Sequence, residues 1–566
     1  MWKYIRPYLH FAIIAGLFMV GEITLDLVQP TLMATIVDDG VLAGNLDLIL
    51  KYGGIMIILV VIGGTCGSMN NVFVQLSGQN IGNEMRKDCF KKIMSFSFPQ
   101  IDHFSTGALV TRVTIDITQV QNFISQFVRG VIRQGFSIFG SIYFIYRLNH
   151  TFGKIMMFTS PLMLLVMGIC LYKSAPILTT LQKYLDHINE ILQEDMDGIR
   201  IIKACVKETY EKIRFHKAND DLVKTQLTIL MIFAFMNPVI NLIMYTIIVL
   251  LLFSAGMQVA GNTITAGAII ATITYTTQLL HGVLMLVMLF QNITKGLTSW
   301  KRIKQVLVLD PMITGGKIDT VEGEGRIEFK NVSFGYDHKE ILHDLNFTIE
   351  PGESIAIMSE TGGGKSTLVN LIARFYDVTK GNIYLDGVDL KDYTLKALHE
   401  KVTIAMQKSE LFNITLKDNI AWGLVVSDQE IEQAAKIAQA HDFISETEYG
   451  YDTLVQEQGS SLSGGQKQRI SLARAILHAK EVLILDDATS ALDLATEAKF
   501  YQALSNQKIT KIIVAQRIAS VQRCDRILVL NGGTIEDIGT HQELMDRCTT
   551  YQQIYESQLG GVENGF

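Results

Sequence analysis

The chain has 566 residues, 48% of them hydrophobic, with 49 Lys/Arg against 56 Asp/Glu and a net charge of −7. That composition excludes a disordered chain and a nucleic-acid binder that works through bulk positive potential. The totals average two unlike halves: residues 1–320 carry 26 basic and 20 acidic side chains, whereas residues 321–566 carry 23 and 36. The length corresponds to three or four domains at about 150 residues each. Six cysteines (Cys66, Cys89, Cys170, Cys205, Cys524 and Cys548) without a CxxC or Cys/His cluster read as ordinary thiols, not as a disulfide framework or a zinc site.

In chain order, the first half reads as a membrane domain. A helix crosses the hydrocarbon layer with about 20 mostly apolar residues. Stretches free of Asp, Glu, Lys and Arg cover residues 52–83, 155–172 and 225–294. The last is long enough for two spans around a turn at residues 256–262. A first span near 11–37 contains Glu22 and Asp26, and another near 125–146 has Arg129 and Arg133 on its approach. Six helices are therefore expected over residues 1–310. Basic residues mark cytosolic loops. Arg86, Lys87, Lys91, Lys92 and Arg112 cluster after the second span, and a second basic stretch runs from Lys173 to Lys224. Both termini are expected in the cytosol, although Arg147 and Lys154 run against the rule. Residues 181–192 place apolar side chains at helical spacing without Pro or Gly, so the membrane helices are expected to run on into the cytosol.

Ionisable groups inside a span are functional candidates. Glu22 and Asp26 lie one turn apart on one helix face, and Asp26 and Arg133 fall at similar depth. Two readings stand: a structural ion pair facing the bundle interior, or a substrate cavity formed by Glu22, Asp26, Arg129 and Arg133 in which an acid contacts a polar or cationic substrate. Met163, Met167, Met285 and Met288 suit either ordinary packing or a promiscuous apolar cavity.

Residues 311–324, with Pro311 and Gly315-Gly316, read as a linker, and residues 325–566 as an α/β domain with alternating strands and helices. The apolar run 354–358 leads into Ser359-Glu360-Thr361-Gly362-Gly363-Gly364-Lys365-Ser366-Thr367 and then a helix-like segment. Strand, glycine-rich loop and helix start stand in the order a phosphate cradle needs. Glycines let backbone N–H groups close around phosphates, Lys365 reaches the β/γ oxygens, and the Ser366 hydroxyl suits Mg²⁺. Ser359 replaces the first glycine of that pattern. The apolar strand 482–485 ends in Asp486 and Asp487, with Asp486 positioned for the metal ion.

Between these motifs stands Leu462-Ser463-Gly464-Gly465-Gln466. With this signature the chain resembles the ATP-binding cassette (ABC) transporter family, and the resemblance covers the whole chain. Six membrane helices fused ahead of one cassette is the layout of an exporter half-transporter. The resemblance implies Tyr336 as the adenine-stacking aromatic, Gln407 as a metal- and water-contacting glutamine, and Asp493 in the segment after the Mg²⁺ aspartate. It also implies a dimer in which each ATP lies between one chain's Lys365 loop and the other's signature. Residues 104–109 and 198–204 resemble the exporters' intracellular coupling regions.

Two further positions depart from the family. Asp487 stands where the catalytic Glu is expected, and Gln516 where the switch His is expected. An Asp is one methylene shorter, and an amide neither relays a proton nor takes an imidazolium's charge. Together with the intact signature, they make the chain similar to the degenerate-site subunit of heterodimeric bacterial multidrug exporters. The expected function is ATP-driven efflux of a small amphiphilic substrate from the bacterial plasma membrane, with Mg²⁺ and ATP as cofactors, a second half-transporter and membrane lipid as partners, and no nucleic acid. A homodimeric exporter or lipid flippase with slow ATPase, or an ATP-gated channel, is the alternative.

Overall fold

The computed structural model describes residues 1–259, 264–336, 339–360, 362–456 and 459–563. The chain divides into two compact units, residues 1–94 with 106–309, and residues 95–105 with 310–566. Part of the expected turn at residues 256–262, namely Ala260 to Asn262, and the loop residue Thr361 lie outside the described residues.

Among the described residues the first unit holds six long helices: α1 (Leu9–Thr35), α2 (Leu46–Met94), α3 (Ile117–Leu148), α4 (His150–Asp197), α5 (Glu208–Val259) and α6 (Ala266–Val308). Among the described residues three stretches are long and apolar enough to cross a membrane: Trp2–Val41, Leu46–Met94 and Glu208–Gln258. In α3 the hydropathy is diluted by Gln126, Arg129, Arg133, Gln134 and Ser137, which recur at helical spacing on one face. The junction of α3 and α4 is set by Asn149, whose carbonyl oxygen caps α4 by accepting from the backbone N–H of Thr151 and Phe152. The unit's core joins Met19, Ile23 and Leu27 of α1 to Ile145, Phe152 and Tyr275. Met163 is buried in it, whereas Met285 is exposed; the side chains of Met167 and Met288 lie outside the description.

Helices α4 and α5, of 48 and 52 residues, are more than twice the length a bilayer needs. Their extensions pack through Ile188, Ile191 and Ala218, with Glu194 and Arg214 paired at 2.5 Å. They lead into a short exposed helix, Ile199–Ala204, carrying Ile201 on its surface.

The segment 95–105, expected with the first domain, belongs instead to the second unit. Its side chains explain this. The Gln100 amide donates to the Asp310 carbonyl at 2.7 Å, and the Ser97 hydroxyl accepts from the Ile313 N–H at 2.9 Å. Phe98 stacks on Phe375 with ring centres 4.0 Å apart, and the Tyr376 hydroxyl donates to Asp102. The stretch 311–324 is likewise pinned to the second unit, since the Gly316 N–H donates to the Tyr393 carbonyl at 2.7 Å.

The rest of the second unit is built on two sheets. One runs β2-β1-β4-β5, from β1 (Ile327–Tyr336), β2 (Lys339–Ile349), β4 (Lys380–Leu385) and β5 (Val388–Asp389). The other runs β10-β9-β3-β8-β7-β6, from β3 (Ser354–Ser359), β6 (Val402–Ala405), β7 (Val482–Asp486), β8 (Thr510–Val514), β9 (Arg526–Asn531) and β10 (Thr534–Gly539). Strands β6, β7, β8, β3 and β9 are parallel. Their apolar runs are buried on both faces, as a helix-covered parallel sheet requires. Ligands bind such sheets at the carboxyl ends of the strands. There, β3 runs toward the helix α7 (Lys365–Ile372), and β6, β7 and β8 end just before Gln407, Asp487 and Gln516. The fold is thus a helical membrane domain fused to an α/β nucleotide-binding domain.

Candidate nucleotide site

The glycine-rich loop is shaped for close approach. Gly364 has φ +92°, and a Cβ there would stand 2.7 Å from Leu342. Both constraints exclude a side chain, and the backbone turns directly into α7, whose first N–H groups point out of the loop. Ser359, by contrast, is outside the left-handed region, so a non-glycine residue costs no backbone strain there. Its hydroxyl donates to the Glu360 carbonyl at 2.8 Å and accepts from the Lys365 ammonium at 3.0 Å. Lys365 also donates to the carbonyls of Ser359 (2.7 Å) and Glu360 (3.0 Å). A departure from the sequence pattern has become a ligand of the loop's cation.

A cavity of about 240 Å³ gathers Gly362, Gly363, Gly364, Lys365, Ser366, Thr367, Gln407, Asp486, Asp487 and Gln516. Within it, the Ser366 hydroxyl donates to Asp486 at 3.0 Å. These two oxygens fit a hard cation such as Mg²⁺, which takes oxygen ligands and leaves positions for phosphate and water. The glycine backbone and Lys365 fit the phosphates of ATP. Burial pushes the Asp486 carboxyl above its ordinary range, with the Ser366 hydrogen bond opposing, and burial lowers the Lys365 ammonium against the pull of Asp487 and Asp486.

Asp487 sits in the left-handed region at φ +50°, its N–H donating to the Val514 carbonyl at 2.9 Å. Asp tolerates this conformation better than most side chains. One carboxylate oxygen, Oδ2, accepts from both the Gln407 amide and the Gln516 amide, each at 3.2 Å. Burial raises its pKa, and the Gln407 hydrogen bond partly offsets that. The two substituted positions are therefore in direct contact, and one carboxylate oxygen is shared by two amides.

The signature lies outside this cavity. Ser463 caps the helix α8 (Gly464–His478): its hydroxyl accepts from the Gln466 N–H at 3.2 Å, and the Gln466 side chain accepts from the Ser463 N–H at 2.8 Å. Leu462 packs on the core beneath, and a Cβ on Gly465 would stand 3.0 Å from the Ala491 carbonyl. Gln468 ties α8 to residues 490–491, donating to the Ser490 hydroxyl at 3.1 Å and accepting from the Ala491 N–H at 2.8 Å. Asp493 caps the next helix by accepting from Thr496, which holds its carboxyl below the ordinary range. Tyr336 lines a different cavity, of about 620 Å³, edge-on to Tyr376 with ring centres 5.1 Å apart.

One supporting residue carried no motif to mark it. Glu497 is buried and accepts from the hydroxyls of Thr489 (2.7 Å) and Ser520 (2.6 Å), with Arg517 at 3.4 Å. It thereby fixes both flanks of the Asp487–Gln516 contact. Only the oddity of an acid in an otherwise apolar helix face hints at it.

In the first unit, Arg133 pairs with Glu22 at 2.9 Å and stands 3.8 Å from Asp26. Asp26, Arg129 and Arg133 line a cavity of about 740 Å³, whereas Glu22 does not line it.

Residues 12–283 match the family described as ABC transporter transmembrane region, and residues 342–490 match the family described as ABC transporter. The chain is 37% identical, over 99% of its length and 98% of the relative's, to a Bacillus subtilis protein called "Uncharacterized ABC transporter ATP-binding protein YfiB". It is 33% identical to an "ATP-dependent lipid A-core flippase" of Syntrophus aciditrophicus, over 98% of this chain and 94% of that one. A solved bacterial Atm1-family ABC exporter with ATP bound shares the fold, with a TM-score of 0.80, 24% identity and 98% of each chain covered. The chain belongs to the ABC transporter family.

Proposed function

We propose that the chain is one half of an ATP-driven exporter of small amphiphilic compounds, and that it is the half whose own ATP site turns over slowly within a heterodimer. The observation that carries this reading is the contact at Asp487. Activating a water needs a carboxylate oxygen within about 2.6–3.2 Å of it. Here the side chain is one methylene short, and one oxygen is occupied by two amides. Gln516 cannot take the proton or the charge that a histidine would. The signature, by contrast, is intact and well capped. Such a chain serves a partner that supplies Glu and His, completing that partner's site while holding its own nucleotide with Lys365, Ser366 and Asp486. On this reading the protein is multi-pass in the plasma membrane, with both termini and the nucleotide-binding domain in the cytosol. Glu22, Asp26, Arg129 and Arg133 then belong to the substrate path.

A homodimeric exporter or lipid flippase is the second reading, favoured by relatives of 30–33% identity that are named ATP-dependent lipid A-core flippase. Turnover of the purified chain decides between them. Slow hydrolysis alone, rising when a half-transporter with Glu and His is added, is expected of the heterodimer. Full turnover and transport by the chain alone overturns it.

A further inference from the structure

The segment that follows β8 is held from a side that no motif marks. Strand β8 ends at Val514, and a short helix, Ile518–Val521, begins soon after it. The Gln516 carbonyl and the Ile518 N–H therefore fall outside both the strand ladder and the helix's own hydrogen bonds. Both are taken by one side chain. The Gln558 amide donates to the Gln516 carbonyl at 2.6 Å, and its oxygen accepts from the Ile518 N–H at 2.9 Å. A backbone carbonyl only accepts and a backbone N–H only donates, so the two contacts together fix which way the amide is turned.

Gln558 comes from the helix α9 (Thr549–Glu563), and that helix is anchored. Tyr551 is buried, with its hydroxyl 2.7 Å from Nδ1 of His541, and Ile554 and Tyr555 pack on the core. Positions 551, 554, 555 and 558 share one face at helical spacing, so burying the first three carries the fourth to the segment after β8. That segment is gripped from two other sides. The Gln516 amide donates to Asp487 at 3.2 Å. Arg517 donates to the carbonyls of Leu492 and Ser490 and to Glu497, each at 3.4 Å. Those two grips act through the segment's side chains, whereas Gln558 takes its main chain.

We infer that Gln558 is a positioning residue for ATP hydrolysis: it clamps the main chain of residues 516–518 and so sets where the side chain at position 516 stands relative to Asp487 and the terminal phosphate. Gln558 does not line the nucleotide cavity, so it acts through position 516. Misplacing a reacting group by about 1 Å can cost on the order of 10²-fold in rate. The inference takes position 516 as the switch position proposed above. It goes beyond that reading, because a main-chain clamp acts on whichever side chain stands there.

The test uses the purified full chain in two backgrounds, unaltered and Asp487→Glu/Gln516→His. Gln558→Met keeps the side-chain length and loses both hydrogen bonds. In whichever background turns over faster, it should lower kcat for ATP hydrolysis about fivefold or more, with KM for ATP within about twofold and the thermal midpoint unmoved. Hydrogen exchange at the Ile518 N–H should speed about tenfold. Gln558→Glu gives the readout that a merely structural role would not move. Protonated, its carboxyl offers a donor and an acceptor as the amide does; ionised, it sets an acceptor against the Gln516 carbonyl. Its kcat relative to the parent at the same pH should therefore be low at pH 8 and recover as the pH falls to 5.5, while the relative kcat of Gln558→Met stays flat. Unchanged exchange at Ile518, an unchanged kcat, a fall in midpoint that accounts for the lost turnover, a flat Gln558→Glu ratio, or no hydrolysis in either background overturns the proposal. If Asp487→Glu/Gln516→His fails to raise turnover, the slow-site reading alone falls, and Gln558→Met in the unaltered chain decides the clamp by the same kcat and exchange measurements.

Discussion

The two units handle charge in opposite ways. At the nucleotide site every ionisable group has a partner: Lys365 is held by two carbonyls and a hydroxyl, Asp486 by Ser366, and Asp487 by two amides. Backbone geometry at the ends of parallel strands sets these contacts, so the groups stand ready for one ligand of fixed shape. In the membrane cavity Arg133 is locked, but Arg129, one turn along the same helix, and the buried Gln278 carbonyl of α6 have no partner among the described residues. The contrast separates a site whose ionisable groups are all paired from a helix-lined wall on which one cation stands without a partner among the described residues.

The largest expected effect comes from breaking the cradle. Lys365→Ala removes a half-buried cation facing two carboxylates and should weaken ATP binding to this chain about a hundredfold, since losing one member of a buried charge cluster costs ~3 kcal/mol. Filter binding of labelled ATP checks it. In an assembled heterodimer the same variant should spare much of the hydrolysis, and complete loss would mean that the slow site is essential to the cycle.

Breaking the locked pair in the membrane unit is expected to matter less. Glu22→Gln leaves Arg133 with only the more distant Asp26. Because Arg133 is about a third exposed, the loss should be nearer 1–2 kcal/mol than the value for a fully buried pair. It should appear as a lower midpoint of thermal inactivation in detergent. Asp26→Asn, 3.8 Å from Arg133, should leave that midpoint almost unmoved and alter substrate preference instead. Equal losses of folded protein from both variants would erase the distinction between lock and open wall.

The smallest effect is one of pH. Burial raises the Asp486 carboxyl, so it takes up its proton at a higher pH than an ordinary aspartate. Its charged form, needed beside Ser366 for a metal-bound nucleotide, is present above that raised value and lost as pH falls through it. Mg²⁺-dependent ATP affinity should therefore begin to fall above the usual carboxylate range. Asp486→Asn should bind weakly at every pH and lose that slope; a slope kept by the variant would assign it elsewhere.

Much of this was legible beforehand, because the nucleotide site is local in sequence. The loop 359–367, the strand ending at Asp486 and the signature 462–466 each occupy one continuous stretch, and strand or helix periodicity fixes their orientation. What was not legible is long-range. Glu22 and Asp26 lie on one helix face, so the spacing cannot say which of them meets Arg133. The closeness of Glu22 depends on how α1 rests against α2 and α3. The transfer of residues 95–105 to the second unit depends on Gln100 meeting Asp310, and Phe98 meeting Phe375, across more than 200 residues. Ser359 was visible as a departure, but its grip on Lys365 required the folded loop. The touching of Gln516 and Asp487 is intermediate: both substitutions stood out, and their contact follows from the pairing of β7 with β8 in register Asp486 to Val514.

The central claim is that Asp487 and Gln516 together slow this chain's own site, and steady-state ATP hydrolysis of the purified chain tests it most directly. The unaltered chain is compared with Asp487→Glu/Gln516→His at saturating Mg²⁺-ATP. Restoring a general base of the right reach is worth on the order of 10²-fold. A rise of at least tenfold in the double variant, with nucleotide binding unchanged, is the predicted result. Equal, rapid turnover in both would contradict the account.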